Sequence, residues 1–588
     1  MVAFLCLFFP AALACLIWER ADSTASKSFK DRILRYASFT VVINFVIFLA
    51  VDLIVKNPGN IVRNIQDYSD FAFKYLGSAL LLSVVLPYGI VYLRNHVKVK
   101  FLKTKVELNI PWRLLASFYG VILIGLHVIR IFDNNFWGDE AFSIRLAGKT
   151  FSEMFALTAA DVHPPFYYMV LIVAYKLFGN HGWVYHMVSV IPLVILTVFA
   201  LTILWKRFGK EACFIFLTLI GLSNAAVVNN IETRMYSFAF MFVLFSFYGL
   251  YKMLNKEKAG LPLFIIFSLG AAYTHYYAMM SVAVFYGILL IFTIRKQFEV
   301  KKLIISYVCT IVGYCPWLKQ MVTTFKGTSE GFWMTSFPGY EEGIMYFYQS
   351  DKEWYSYGLF ALTLLIVLFL IIRDMGIVSV TKKEKYEVTV KRSANKLQTK
   401  TKWMICGVVA ALATLVAGEM ISTFIRPAFS LKYLFPVVSA MWMVLCAGIS
   451  EIKYKKVLSL IIVVVSLVVF LPNYAAVYSA EKKANKKCTE TQEKMQSLIE
   501  DDGVLMTNSV GLNWTILDYY MPNNPHKLIS NNYTDFEAGQ DYWLVWANGL
   551  SEDDYSWLES QGYNVEELIR DGMLGDNPVF LYRITAEN

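Results

Sequence analysis

Apolar runs of about 18 or more residues recur along this chain, separated by short polar links, and they limit what it can become. In a bilayer each backbone N–H and C=O must be satisfied within its own segment, so runs of this length fold as helices. Charged residues are only 17% of the 588, against roughly 25% in an ordinary soluble protein. The chain reads as an all-α polytopic membrane protein, a helical bundle placed in the cell membrane. Its net charge of +9 does not point to nucleic acid. The Lys and Arg residues cluster in short links between apolar runs, as cytoplasmic loops do.

Three regions follow from the pattern. Residues 1–105 carry three expected spans, at about 2–18, 36–55 and 72–93, as an accessory membrane region. The first 18 residues lack a basic n-region and a small-residue cleavage site, so they read as a retained span rather than a signal peptide. Residues 106–475 hold the main membrane domain, with spans expected at about 112–132, 184–205, 211–228, 236–253, 261–275, 278–294, 303–316, 355–372, 403–420, 430–449 and 456–473. The segment 164–178 is short for a crossing and carries Lys176, so it reads as re-entrant or partly inserted. The basic stretch 382–402 is expected to be cytoplasmic and irregular. Residues 476–588 turn rich in Asp, Glu and Asn and contain no long apolar run. They read as a small α/β domain, with strands at 503–507 and 542–546 and helices at 514–520 and 557–568. With basic links inside, this domain and the link after residue 132 are extracytoplasmic. The domain carries no nucleophile or metal motif. A lid, an acceptor dock and a structural appendage all stay open for it.

Four polar clusters fall on that same face. The first is Trp137-Gly-Asp139-Glu140-Ala, at the end of a span, followed by Asp161-Val-His163-Pro164-Pro165. Carboxylates at a membrane boundary are costly, and one of them can act as a general base on an attacking hydroxyl. Adjacent helical residues point about 100° apart, so Asp139 and Glu140 would do different jobs. Residues 139–158 alternate Phe and Leu with polar positions and read as a helix lying along the membrane surface. Asp161 and His163 precede two prolines that extend the chain, and loop ordering is the more expected role for them than metal ligation.

The second cluster, Asn229-Asn-Ile-Glu232-Thr-Arg234-Met-Tyr236, offers either a local ion pair or a guanidinium for a phosphate. The third is Thr274-His275-Tyr276-Tyr277, in which an aromatic belt explains the tyrosines and leaves His275 out of place. The fourth is Arg426-Pro427 with Lys432-Tyr433, cations that the positive-inside rule does not explain and that suit a lipid-linked phosphate.

Asp-Glu-Ala after a span, then His-Pro-Pro-Phe-Tyr-Tyr, Glu-Thr-Arg-Met-Tyr and Thr-His-Tyr-Tyr together resemble bacterial members of the protein O-mannosyltransferase family. That family belongs to the C-type superfamily of membrane glycosyltransferases, with the lipid A aminoarabinose transferases among its relatives. The resemblance covers roughly residues 112–475. It implies transfer of a sugar from a polyprenyl-phosphate carrier to a cell-envelope glycan, lipid or protein acceptor on the outer face, with inversion. It also implies Asp139 as base, Glu140 beside it, and Arg234 and Arg426 toward the donor phosphate. Asp161, His163, Glu232, His275, Tyr276 and Lys432 complete the expected substrate-binding set. No cofactor is expected, and a divalent metal is left open. The chain departs from the pattern in its three added N-terminal spans, in Lys432 where relatives have arginine, and in His163 where the aminoarabinose enzymes have lysine. The alternative, a flippase or transporter of a lipid-linked glycan, would place ionisable residues near mid-membrane and break helices in both halves.

Overall fold

The computed structural model describes residues 111–330, 334, 336–376, 378–382, 386–390, 396–500, 502–529 and 541–586. The three spans expected within 1–105 lie outside the described residues. Among the described residues seven helices are long and apolar enough to cross a membrane, which makes this a multi-pass membrane protein. The contacts divide into two compact units, with residues 112–356 and 406–588 in one and residues 357–405 in the other.

In the larger unit, α1 (Trp112–Val128) leads into two short helices, α2 (Gly138–Ala147) and α3 (Phe151–Ala160), and then α4 (Phe166–Phe178). Local chemistry sets these breaks. At α2 the Glu140 carboxylate reaches back to accept from the Trp137 N–H at 3.3 Å. At α3, Thr150 and Glu153 form a capping box: the Thr150 N–H donates to Glu153 at 2.8 Å, and the Glu153 N–H donates to Thr150 Oγ1 at 3.3 Å. Pro164 and Pro165 then forbid continuation before α4.

The surface helix expected over 139–158 is therefore two helices, and only α3 shows apolar side chains (Phe151, Phe155, Leu157) outward. In α2 both faces are covered, and Glu140, Ala141, Phe142, Ser143 and Ile144 are all buried. α4 has 13 residues, short of the roughly 20 needed to cross a bilayer.

The main bundle follows. α5 (Gly182–Phe199) passes through a π turn at Ala200–Leu204 into α6 (Trp205–Leu222). This path of 41 residues is broken at Gly209, whose φ of +91° lies where only glycine sits without strain. The basic link Lys206–Lys210 falls at this bend. Then come α7 (Asn224–Asn229), α8 (Tyr236–Leu254), α9 (Gly260–Thr274), α10 (Tyr276–Ile294), α11 (Val300–Glu330) and α12 (Tyr340–Tyr346).

Helix α15 (Phe435–Ser450) is the centre of the packing, since 94% of the apolar window over Leu431–Ser450 is enclosed. Its Phe435 and Trp442 rings meet Phe240 of α8 at 4.9 and 5.3 Å. The Trp442 indole N–H finds the Phe347 carbonyl at 2.8 Å, which lets so large a side chain be buried without an orphaned donor.

Helix α16 (Lys455–Leu498) runs 44 residues without a break through position 475. It carries the chain from the bundle into a five-stranded sheet of order β4-β3-β5-β7-β6. The strands are β3 (Leu505–Thr507), β4 (His526–Leu528), β5 (Tyr542–Trp546), β6 (Tyr563–Leu574) and β7 (Asn577–Ala586). β3 runs parallel to β4 and β5, whereas β5, β7 and β6 pair antiparallel.

The helix expected at 557–568 is instead α18 (Glu552–Ser560) followed by the start of β6. Tyr563, Val565 and Glu567 pair with Ala586, Ile584 and Tyr582 of β7, and this long-range ladder overrides the local pattern. α17 (Leu517–Tyr520) lies between β3 and β4. One sheet face buries Leu505, Val545, Leu574 and Leu581 against Met495 of α16, Tyr520 of α17 and Ala141 of α2.

The smaller unit holds α13 (Glu353–Met375) from Tyr357 onward, a hairpin of β1 (Val378–Lys382) and β2 (Tyr386–Val390), and the start of α14 (Thr399–Phe424). The stretch expected to be irregular, 382–402, thus contains strand β2, which pairs antiparallel with β1 just before it, in register from Val378↔Val390 to Lys382↔Tyr386. Alternating valines (Val378, Val380, Val388, Val390) suit such a ladder. Within this unit the Asp374 carboxylate accepts from Thr401 Oγ1 at 2.5 Å and from the Gln398 N–H at 3.1 Å.

Candidate active site

Several chain segments that enter or leave apolar helices converge where α2 begins. They are the loop after α1, the turn between α3 and α4, the turn before α8, the turn between α9 and α10, and the turn before α15. Asp139 stands in the first turn of α2 with its side chain one-third exposed (33%). Its carboxylate lies 3.4 Å from Arg234 Nη2 and 3.8 Å from Lys432 Nζ. The Asp139 carbonyl accepts from Ser143 Oγ at 2.9 Å and from Arg234 Nη1 at 3.1 Å. One arginine therefore grips both the side chain and the main chain of this residue.

Arg234 is buried (2% exposed). Its Nη1 also lies 3.3 Å from Ser143 Oγ and 3.4 Å from the Tyr168 hydroxyl, and Nη2 is 3.4 Å from His163 Nε2. His163 Nδ1 faces Asp161 Oδ2 at 3.2 Å. Because Arg234 can only donate, His163 accepts at Nε2 and donates from Nδ1 to Asp161. The titration directions agree. Burial and the neighbouring Arg234 charge lower His163. Burial tends to raise Asp161, but the hydrogen bonds from His163 and the Val162 N–H, with the Arg234 charge, outweigh that and hold Asp161 low.

Glu140 faces the other way. Its Oε1 accepts the Thr233 N–H at 2.6 Å and comes within 4.0 Å of His186 Nδ1. Burial, with Glu232 adding repulsion, pushes its carboxyl up to about 8 despite the N–H donors of Thr233 and Trp137. Burial likewise raises Glu232, against the pull of Lys432 and Arg234. The two neighbouring acids thus differ: Asp139 is partly exposed between two cations, and Glu140 is enclosed and ties α2 to the turn before α8.

Lys432 Nζ lies over the Trp137 ring at 4.5 Å and the Tyr236 ring at 5.4 Å, so its charge is shared among Asp139 and two aromatic faces. His275 sits behind, 5.9 Å from the His163 ring, 5.4 Å from Tyr236 and 5.2 Å from Tyr433. Its Nδ1 accepts the Tyr277 N–H at 3.2 Å, and burial lowers it far below the ordinary histidine value. Tyr276 points elsewhere, toward α11, where the Trp317 indole N–H meets its hydroxyl at 3.4 Å.

Among the described residues the ion pairs of Asp139 are to Arg234 and Lys432. Arg426, half-buried in the turn after α14, is not one of them. Trp137, Tyr168, Thr233 and Tyr433 lie inside the sequence motifs with no role predicted for them, and they join the site together with Ser143. Ser143 is marked by its spacing, one helical turn after Asp139, whereas the contacts of Tyr168 and Thr233 come from the tertiary structure. Two buried polar atoms, Arg234 Nε and the Tyr236 hydroxyl, are without a hydrogen-bond partner among the described residues. Among the described residues no group of three or more His, Cys, Asp or Glu side chains could hold a metal ion.

Glu140 gives a pH prediction. Its folded value lies above the 4.5 of the ordinary glutamate, so its stabilising share is complete below about pH 4.5 and lost as pH rises through about 8. Glu140→Gln is expected to fold and to remove this loss. The thermal midpoint of wild type relative to Glu140→Gln should fall steadily between about pH 5 and 8. A constant difference between the two proteins over that range would show that Glu140 is ionised when folded.

No protein-family model matches the chain, and no curated protein matches it. Among solved structures it is similar to ArnT from Cupriavidus metallidurans bound to undecaprenyl phosphate, with a TM-score of 0.47 and 12% identity, covering 80% of this chain and 98% of that one. The apo state of the same protein gives a TM-score of 0.47 and 12% identity over 80% and 97% of the two chains.

Proposed function

We propose that this protein is a membrane glycosyltransferase that moves a sugar from a polyprenyl-phosphate carrier to an acceptor hydroxyl, with inversion, on the face that bears Asp139. The observation that carries this reading is one partly exposed carboxylate held between two cations, at the end of an apolar bundle able to receive a lipid tail. The carrier phosphate is bound by Arg234 and Lys432, whose donors suit its oxygens. Arg426, in the turn after α14, is a further candidate for that phosphate. The carrier's phosphate competes with Asp139 for both cations, which frees the carboxylate as the acceptor arrives.

In the transfer the acceptor oxygen attacks the anomeric carbon and Asp139 takes its proton. The bond from that carbon to the phosphate oxygen breaks, and the phosphate leaves with the electron pair, its charge met by the two cations. Attack from the side opposite the leaving phosphate inverts the anomeric centre. The orphaned Arg234 Nε and Tyr236 hydroxyl support a polar ligand here, because such atoms are costly when buried unmet. A flippase is disfavoured because Asp139, Arg234 and Lys432 lie at helix ends and in turns rather than midway along the spanning helices. On this reading the sheet domain and Asp139 share the extracytoplasmic side.

The test is transfer by the full-length protein in lipid nanodiscs from a panel of radiolabelled polyprenyl-phosphate sugars to cell-envelope acceptors. Transfer from at least one donor, with inverted product, is expected. Absence of transfer from every donor, together with no thermal shift on adding undecaprenyl phosphate, would rule the reading out.

A further inference from the structure

The chain that delivers Asp139, residues 134–138, has its polar groups met from the C-terminal part of the molecule. The Asn134 N–H donates to Asn485 Oδ1 on α16 at 2.7 Å. The Asn134 side-chain oxygen accepts from the Tyr519 hydroxyl at 2.6 Å. The Tyr520 hydroxyl, on a fully buried side chain, accepts the Phe136 N–H at 2.7 Å and donates to the Asn134 carbonyl at 2.9 Å. Thr515 Oγ1 donates to the Gly138 carbonyl at 3.0 Å, one residue before Asp139.

Gly575, in the β6–β7 turn, presses on the same segment. A Cβ added there would stand 2.3 Å from the Phe136 carbonyl oxygen. Its φ of +62° also places it where side chains are strained. Ala141, one turn beyond Asp139's neighbour Trp137, is buried in the core of the sheet domain itself. Farther along α2, Arg145 pairs with Asp518 of α17 at 3.2 Å.

We infer that the C-terminal sheet domain positions Asp139: the tyrosine pair, Thr515 and the Gly575 turn hold the main chain of 134–138, so that the carboxylate meets Arg234 and Lys432. The bundle supplies the cations, and the sheet domain supplies the carboxylate's register against them. Tyr520 and Thr515 are positioning residues, acting on Asp139 through the main chain. This rests on the reading of Asp139 as the base. It also gives the domain a role other than lid or appendage, since a group misplaced by about 1 Å costs on the order of 100-fold in rate.

The test uses Tyr520→Phe and Thr515→Val, which remove one oxygen each and keep shape, in full-length protein in nanodiscs. Three quantities are read: kcat for sugar transfer, binding of undecaprenyl phosphate, and backbone hydrogen exchange. Expected are a fall in kcat of about 10- to 100-fold, carrier binding within about twofold, and faster exchange over 134–141 with the strands β5 and β7 still protected. A merely structural role would instead lower the thermal midpoint and the protection of the whole sheet, and that pattern would overturn the inference. So would unchanged exchange over 134–141, or unchanged kcat with faster exchange. Should Tyr520→Phe fail to fold, Thr515→Val decides by the same criteria. If wild type transfers no sugar from any donor, the functional reading has failed, and local exchange alone then decides whether the domain holds this segment.

Discussion

Asp139→Asn is expected to abolish sugar transfer, with kcat lower by about 10²- to 10⁴-fold, the range that loss of a general base produces. Asparagine keeps the shape and the hydrogen-bonding oxygen but cannot take a proton. The fold should survive, because the Asp139 side chain is one-third exposed and both cations that face it retain other partners. Carrier-phosphate binding is expected to stay level or to tighten. With the carboxylate gone, Arg234 and Lys432 are no longer shared with an internal anion. Loss of turnover with intact or stronger binding of undecaprenyl phosphate would assign Asp139 to chemistry rather than to donor recognition. Full activity in the variant would move the base to Asp161 or Glu140, and Glu140 is the weaker candidate because it is buried (4% exposed) and engaged with Thr233.

Arg234→Ala is expected to lower donor affinity and turnover together, each by about 100-fold or more, and to destabilise the site by on the order of 3 kcal/mol. The side chain is enclosed and spans Asp139, Ser143, Tyr168 and His163. Its removal leaves Lys432 alone to balance Asp139 and Glu232. Arg234→Lys should recover little, since an ammonium cannot reproduce a planar fork that serves the Asp139 carbonyl and carboxylate at once. Isothermal titration with undecaprenyl phosphate and separate saturation of donor and acceptor give the decisive comparison. A donor-selective loss supports phosphate binding by Arg234. Equal losses for donor and acceptor would reduce Arg234 to a scaffold for the turn before α8.

The membrane character and most helix positions were legible because they rest on local rules. An apolar run long enough to cross a bilayer has no alternative to a helix, and α5, α8, α9, α10, α15 and α16 begin or end within a few residues of the apolar runs. The acid loop was legible for the same reason, since Asp139 and Glu140 interrupt an apolar pattern. Less legible was what each acid does. Both follow one another in sequence, yet one faces two cations and the other a backbone N–H and a buried histidine, because successive positions on α2 point to different neighbours. The sequence pattern places residues 139–158 on a membrane surface, whereas α2 is enclosed, because nothing in residues 139–147 reveals that a sheet more than 350 residues later covers them. Residues 563–568 were read as helix for a similar reason, their partner strand β7 lying beyond a turn and imposing its own ladder.

The sequence by itself thus determined the solvent this protein folds in, the helices that follow from it, and the polar motifs that interrupt them, since periodicity and burial cost act over one or two turns. Only the tertiary structure decided which motifs meet. It brought Arg234 and Lys432 within 4 Å of the Asp139 carboxylate across 293 residues of chain. It left Arg426 out of the Asp139 ion pairs and turned Tyr276 toward α11. It also put Tyr520 and Thr515 of the C-terminal sheet domain on the main chain of the acid loop. Such contacts depend on side-chain shape and hydrogen-bond geometry between segments far apart in sequence, and no local pattern encodes them.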